Sequence, residues 1–167
     1  LALIGLLSAF FIPKVMTSAN AHQKRAALKT AVLSMRSAMK QAAAQGRLSR
    51  TSYVSVLESG LNAAKTCSNA SCWSGSGLNC GTGASLQLHS GVQACGLATG
   101  AGNTENISLD YNGGDGPNSQ GADRLQVTLC LAPAGCTPSV AGYPGKYGDV
   151  YPANAASQAL FDSLIEG

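Results

Sequence analysis

The chain opens on an unbroken apolar run. Residues 1–12, LALIGLLSAFFI, carry no charge and no polar side chain but Ser8, and Pro13 and Lys14 end the run. A helix apolar all round needs lipid or other protein around it. Twelve residues rise only about 18 Å, short of the ~30 Å hydrocarbon layer of a bilayer. Beyond Pro13 the pattern becomes amphipathic without a turn signal. Leu28, Val32, Met35, Met39 and Ala42 recur at intervals of four and three, which is one helix face. Lys29, Arg36, Lys40 and Arg47 follow that spacing one residue later, about 100° around the axis. Alanine is frequent from Ala19 to Ala44, and Gly46 suits a C-cap. The pattern predicts one helix of about 45 residues and 65–70 Å, kinked or unwound near Pro13.

After Gly46 the periodicity shortens. TSYVSVLESGL at 51–61 predicts a second helix with Thr51 or Ser52 as its N-cap. From Cys67 to Gly121 the chain is rich in Gly, Ser, Asn and Thr and reads as loops with short strands. Strand-like alternation marks Ala84–His89, Asn106–Tyr111 and Arg124–Leu131; in the last, Leu125, Val127 and Leu129 share one side. A fourth strand is expected near Tyr147–Tyr151, and a helical tail with a frayed end over Ala155–Ile165. Strands separated by turns favour an antiparallel sheet packed on the C-terminal half of the long helix. The expected class is therefore α+β. It divides into a helix, 1–46, with an apolar anchor at 1–13 and a basic stem at 14–46, and a head, 47–167.

Composition sharpens this division. The 167 residues fit one domain, and 45% apolar content makes disorder a poor description. Charged residues are 11%, under half the ~25% usual for globular proteins. The formal charge of +3 conceals an asymmetry. Lys14, Lys24, Arg25, Lys29, Arg36, Lys40, Arg47 and Arg50 stand in the first fifty residues without one acid, whereas the remainder holds Lys65, Arg124 and Lys146 against eight acids. The basic stem, Lys24, Arg25, Lys29, Arg36, Lys40 and Arg47, reads either as a surface for nucleic acid or anionic lipid, or as the solvated or neighbour-facing side of a helix.

Six cysteines, all in the head, suit an oxidising compartment. Six thiols allow 15 pairings. The expectation is sequential pairing, Cys67–Cys72, Cys80–Cys95 and Cys130–Cys136, each closing a short loop with Gly, Ser or Pro. A zinc site lacks a C-x-x-C pair, and His22 and His89 have no ligand spacing to two cysteines. Calcium would draw on Asp110, Asn112, Asp115 and Asp123 around flexible glycines. An EF-hand register from Asp110 fails, with Asp115 at the glycine position and Gly121 at the glutamate position. The simpler reading is a hairpin loop with solvated acids and no cofactor. No catalytic motif is present: GYPGK at 142–146 is no phosphate loop, and neither G-x-S-x-G nor H-E-x-x-H occurs. Asn69-Ala-Ser71 and Asn106-Ile-Ser108 fit a glycosylation sequon. Trp73, Tyr111, Tyr143, Tyr147 and Tyr151 form either an adhesive patch or, more simply, head-domain packing.

LALIGLLSAFFIPKV at 1–15, running into the alanine-rich helix at 19–45, resembles the type IV pilins, a family that also includes type II secretion pseudopilins and competence pilins. The resemblance covers about 45 residues and the plan of a cysteine-bearing head. Ala19-Asn20-Ala21 offers a signal-cleavage pattern, but Lys14 intervenes and the helical pattern runs through it, so a retained helix is expected. If Pro13 matches the family's proline, about nine residues precede Leu1, the family's aromatic first residue and early glutamate among them. The resemblance implies a non-enzymatic subunit inserted in the inner membrane, cut by a prepilin peptidase and assembled by pilus machinery into an extracellular helical homopolymer of identical subunits, serving adhesion and twitching motility. Leu1, Leu3, Ile4, Gly5, Leu6, Leu7, Phe10, Phe11, Ile12 and Pro13 would form the membrane and assembly helix. In the polymer the basic stripe could meet acidic heads of neighbours. The alternatives are a type II secretion pseudopilin and a DNA-uptake pilin binding nucleic acid through exposed Lys or Arg.

Overall fold

The structure, a computed structural model, describes residues 2–74, 80, 83–97, 102–114 and 118–166, with side chains from Ala21 onward. Helix α1 spans Ala2–Ala44. Its backbone stays helical through Pro13, where no unwound turn occurs: proline removes one backbone hydrogen bond while the helix continues on both sides. The predicted stripe is the buried one, with Leu28, Val32, Met35 and Met39 fully inaccessible and Ala31 and Ala42 nearly so. Gly46, at φ +65°, ends the helix as predicted. Its N–H reaches Ala43 O at 3.0 Å and that of Arg47 reaches Ala42 O at 2.9 Å, so two orphan carbonyls of the last turn are satisfied.

Helix α2 spans Tyr53–Gly60 and buries Tyr53 and Leu57, one turn apart. Ser52 occupies its N-cap position, but its hydroxyl does not cap the helix. The hydroxyl instead donates to Arg47 O at 2.6 Å and accepts from Ser49 N at 2.9 Å, fixing the α1–α2 turn. Gly60 meets α1 at Ala38, where an added Cβ would lie 2.3 Å from the alanine Cβ. The two helices cross closely because both contact residues are small.

Six strands follow: β1 Ala63–Cys67, β2 Ala84–Leu88, β3 Gln93–Leu97, β4 Thr104–Asp110, β5 Arg124–Cys130 and β6 Val150–Pro152. They form one antiparallel sheet in sequence order, each strand pairing with the next. Helix α3, Ala155–Ile165, closes the core beside α1 at the β5–β6 end. Its N-cap, Asn154, accepts from Ser157 N at 3.0 Å. The expected frayed end is anchored instead, since Leu164 is buried with Leu160 and Phe161 against α1 and the sheet.

Strands β1 and β3 were not predicted. Three consecutive residues of β1 are exposed, and four of five in β3 are buried, so neither alternates. The fourth expected strand is displaced to Val150–Pro152, leaving Tyr147 in a loop where its hydroxyl bonds Leu48 O. His89 falls just outside β2, in the turn that Gly91 closes. Disulfides join Cys67–Cys72, Cys80–Cys95 and Cys130–Cys136, which is the sequential pairing. They pin β1 to the adjacent 3-10 turn Ala70–Cys72, an incoming loop to β3, and the end of β5 to the loop that follows. Helix and head share one core, for α1 contributes Ala27 through Ala43 to it.

Candidate functional site

On α1, 3.6 residues per turn divide the described segment into faces with different environments. The core face is opposed by Ala26, Thr30, Leu33, Ser37, Gln41 and Ala44, all exposed and all uncharged. Leu33, at 41% accessible, is the exposed large hydrophobic residue there. One flank carries Ala27, Ser34 and Ala38 toward α2, bordering recesses of about 300 and 380 Å³ on either side of Gly60. The other flank is the basic stripe. The uncharged outer face was not singled out from sequence, although it is simply the complement of the buried stripe at the same spacing.

The basic stripe is largely engaged by the chain's own head. Arg25 Nη2 donates to Ser163 Oγ at 2.8 Å. The Arg36 guanidinium lies 6.0 Å from the Phe161 ring centroid. Lys40 Nζ is 3.8 Å from Asp149 Oδ1, and Arg47 bonds Gln45 Oε1. Arg50, outside the predicted stem set, is the most firmly held. It pairs with Glu105 at 2.8 Å and also donates to the carbonyls of Gly102 and Thr104, tying the α1–α2 turn to β4. Lys24 and Lys29 are half-buried.

The acidic loop between β4 and β5 corrects the expectation of solvated acids. Asp110 and Asp123 are fully buried and Arg124 is 1% accessible. Asp110 and Arg124 face one another in the strand register and pair at 2.8 Å through Oδ2 and Nε. The other Asp110 oxygen accepts from Asn112 N and Gly113 N, both at 2.9 Å. Asp123 accepts from Asn118 N at 2.6 Å and Ser119 N at 2.7 Å, while Arg124 Nη2 reaches Asn118 Oδ1 at 2.8 Å. Trp73 covers the guanidinium, ring centroid 5.8 Å away. A burial cost of this size is offset only by such saturation. Of the residues considered for calcium, Asp110 and Asp123 are committed to these internal partners and Asp115 lies outside the described residues. Among the described residues no cluster of His, Cys, Asp or Glu could hold a metal ion.

The aromatic residues do not form one patch. Tyr151 is buried, with its ring 6.2 Å from that of Tyr143, which meets Phe161 edge-on at 5.9 Å. Tyr111, Tyr143 and Tyr147 pack half-buried on the core, and Trp73 lies across the sheet end with Arg124. Burial, then the hydrogen bond to Asp162, raises the Tyr143 hydroxyl well above its ordinary range. Burial, with the Glu105 charge second, does the same for Tyr53. His22 and His89 are exposed, and Asn69 and Asn106 are exposed with their side-chain oxygens accepting from Ser71 N and Thr128 Oγ1. A third recess of about 390 Å³, between Pro133–Thr137 and Pro144–Tyr147, contains Lys146 but no partner acid or nucleophile.

Leu1 lies outside the described residues. For Leu3, Ile4, Gly5, Leu6, Leu7, Phe10, Phe11, Ile12 and Pro13 only the helical backbone is described. Among the described residues no helix is long and apolar enough to cross a membrane. No family model matches this chain, and no curated protein or solved structure matches it either.

Proposed function

We propose that this chain is the structural subunit of a bacterial filament of the type IV pilus kind, assembling through its N-terminal helix and displaying the head outside the cell. The carrying observation is the division of labour along α1. Residues 27–43 are built into the core of a disulfide-stapled head, whereas the same helix begins with a run apolar on every side. Such a run gains by exchanging lipid for identical helices, which bury the same surface. The uncharged outer face of α1, with Leu33 exposed, continues that surface toward the head and suits close packing between copies. Adhesion and motility would be properties of the polymer. The DNA-uptake alternative is less favoured, because Arg36, Lys40 and Arg50 are already engaged by the head.

Leu6→Asp in the full chain is the test, since a charge in the apolar run costs several kcal/mol in either lipid or a helix core. Electron microscopy of producing cells should show thin filaments for the parent and none for the variant, while the variant still forms its three disulfides. Undiminished filament yield from the variant would overturn the proposal.

A further inference from the structure

The recess of about 380 Å³ beside Gly60 is built from the end of α1, the turn after it and α2. Its apolar lining is Ala38 and Ala42 of α1 with Val56 of α2. Its polar lining is Gln41, Arg47, Ser55 and Ser59, and all four are exposed to solvent. Glu58, the acid of α2, does not line it. The recess across Gly60, lined by Thr30, Ser34, Asn62, His89 and Ser90 among others, holds no permanent charge.

The internal partners of these groups decide what each offers a ligand. Ser55 Oγ donates its only proton to Ser52 O at 2.8 Å, and Ser59 Oγ donates to Ser55 O at 2.9 Å. Both hydroxyls are therefore left as acceptors. They stand one helical turn apart, about 5–6 Å, which is the span of one pyranose ring. Arg47 is a donor and carries the charge. Its Nε, at 2.8 Å, and its Nη2 donate to Gln45 Oε1, a neutral partner, and among the described residues no carboxylate pairs with it. Its N–H donates to Ala42 O at 2.9 Å and its carbonyl accepts from Ser52 Oγ at 2.6 Å. The guanidinium is thus held in place before a ligand arrives, which lowers the ordering cost of binding. Gln41 adds an amide that both donates and accepts.

This set fits a ligand with one negative charge, two hydroxyl donors about a ring apart and an apolar surface. Sulfate and fully ionised phosphate fail, because their oxygens would meet the lone pairs of Ser55 and Ser59. A peptide carboxyl terminus offers the charge but not two donors on one rigid ring. A neutral sugar leaves the guanidinium without an anion. We infer that the recess binds the carboxylated sugar unit of an acidic saccharide. Its carboxylate lies on Arg47, its ring hydroxyls donate to Ser55 and Ser59, and its C–H face lies on Ala38, Ala42 and Val56. The site belongs to the head and does not rest on the filament reading; in a filament it gives each head a ligand among acidic polysaccharides.

The test titrates the full chain, in a detergent without a sugar headgroup, with glucuronate, glucose, inorganic phosphate and acetyl-Gly-Gly, and reads binding by saturation-transfer NMR. Glucuronate should bind with a Kd on the order of 1 mM, the range open to a ligand of that size. Glucose, which has CH2OH in place of the carboxylate, should bind at least about tenfold more weakly. Glucuronate should lose the same factor on Arg47→Gln, and at least about fivefold on Ser55→Ala/Ser59→Ala, with the three disulfides intact in both variants. No glucuronate binding well above the expected Kd overturns the site. Equal binding of glucose overturns the role of Arg47, and phosphate or acetyl-Gly-Gly binding as tightly as glucuronate overturns the choice of a carboxylated sugar. Undiminished binding by both variants overturns the assignment to this recess. Should a variant not fold, the comparison of glucuronate with glucose on the parent decides alone, and equal affinity overturns the inference.

Discussion

Asp110→Asn isolates the electrostatics of the buried cluster, because asparagine keeps the shape of the side chain. Its oxygen can still accept from Asn112 N and Gly113 N, which turns its amide NH2 toward the Arg124 guanidinium, donor against donor. With Arg124 1% accessible, the guanidinium cannot recover water, and breaking a buried pair in this way costs about 3–5 kcal/mol. For a chain of this length that lowers the melting temperature by about 10 °C. Trp73 provides the assay, since it is the single tryptophan and lies over Arg124. Urea unfolding with intact disulfides, followed by its fluorescence, should show the midpoint fall for Asp110→Asn and for Arg124→Met. The double variant should cost clearly less than the two singles added, with a coupling of at least about 1.5 kcal/mol. A loss under about 1 kcal/mol for Asp110→Asn, or simple additivity, would refute the idea that the pair is held as a saturated buried unit.

Two further outcomes follow from other contacts. Tyr143 and Tyr53 hold their protons more tightly folded than unfolded, so their stabilisation is complete below the unfolded value of about 10 and is lost as pH rises past it. Melting temperature should stay level from neutral pH to about 9 and then fall, less steeply in Tyr53→Phe/Tyr143→Phe; an unchanged alkaline slope in that variant counts against the argument. At the α1–α2 crossing, Gly60→Ala should destabilise by about 1–3 kcal/mol in denaturant titration, and Ala38→Gly in the same chain should restore much of the loss. No rescue would mean the strain arises elsewhere.

What could be read from the sequence was what a single periodicity or a short loop determines. Leu28 to Ala42 recur with the helix, Gly46 carries the positive φ its C-cap requires, and in β5 Leu125, Val127 and Leu129 alternate with Arg124, Gln126 and Thr128 in residue type, although all but Gln126 are buried. β3 escaped detection because it is covered on both sides, by the core and by the Cys80 and Ser74 loops. β1 escaped because its exposed middle gives no alternation. The acids of the 110–124 loop looked solvated because local sequence does not show that Arg124 sits opposite Asp110 across the β4–β5 pair. For the same reason the basic stripe looked available to partners: the fold brings Phe161, Ser163 and Asp149 beside it from more than a hundred residues away. The α+β class, the antiparallel sheet and the three disulfides are features of the structure, whereas the filament and its membrane stage rest on the apolar run and the experiments above.

The sequential strand order and the short disulfide loops have a consequence for how the head is made. Each strand pairs with the one synthesised just before it, and the cysteine partners are only 5, 15 and 6 residues apart. A chain emerging from its N-terminus can therefore complete each hairpin and oxidise each thiol pair before the next arrives, with small loop-closure entropy at every step. Few mispaired thiols then accumulate, and the head should mature with little need for disulfide isomerisation.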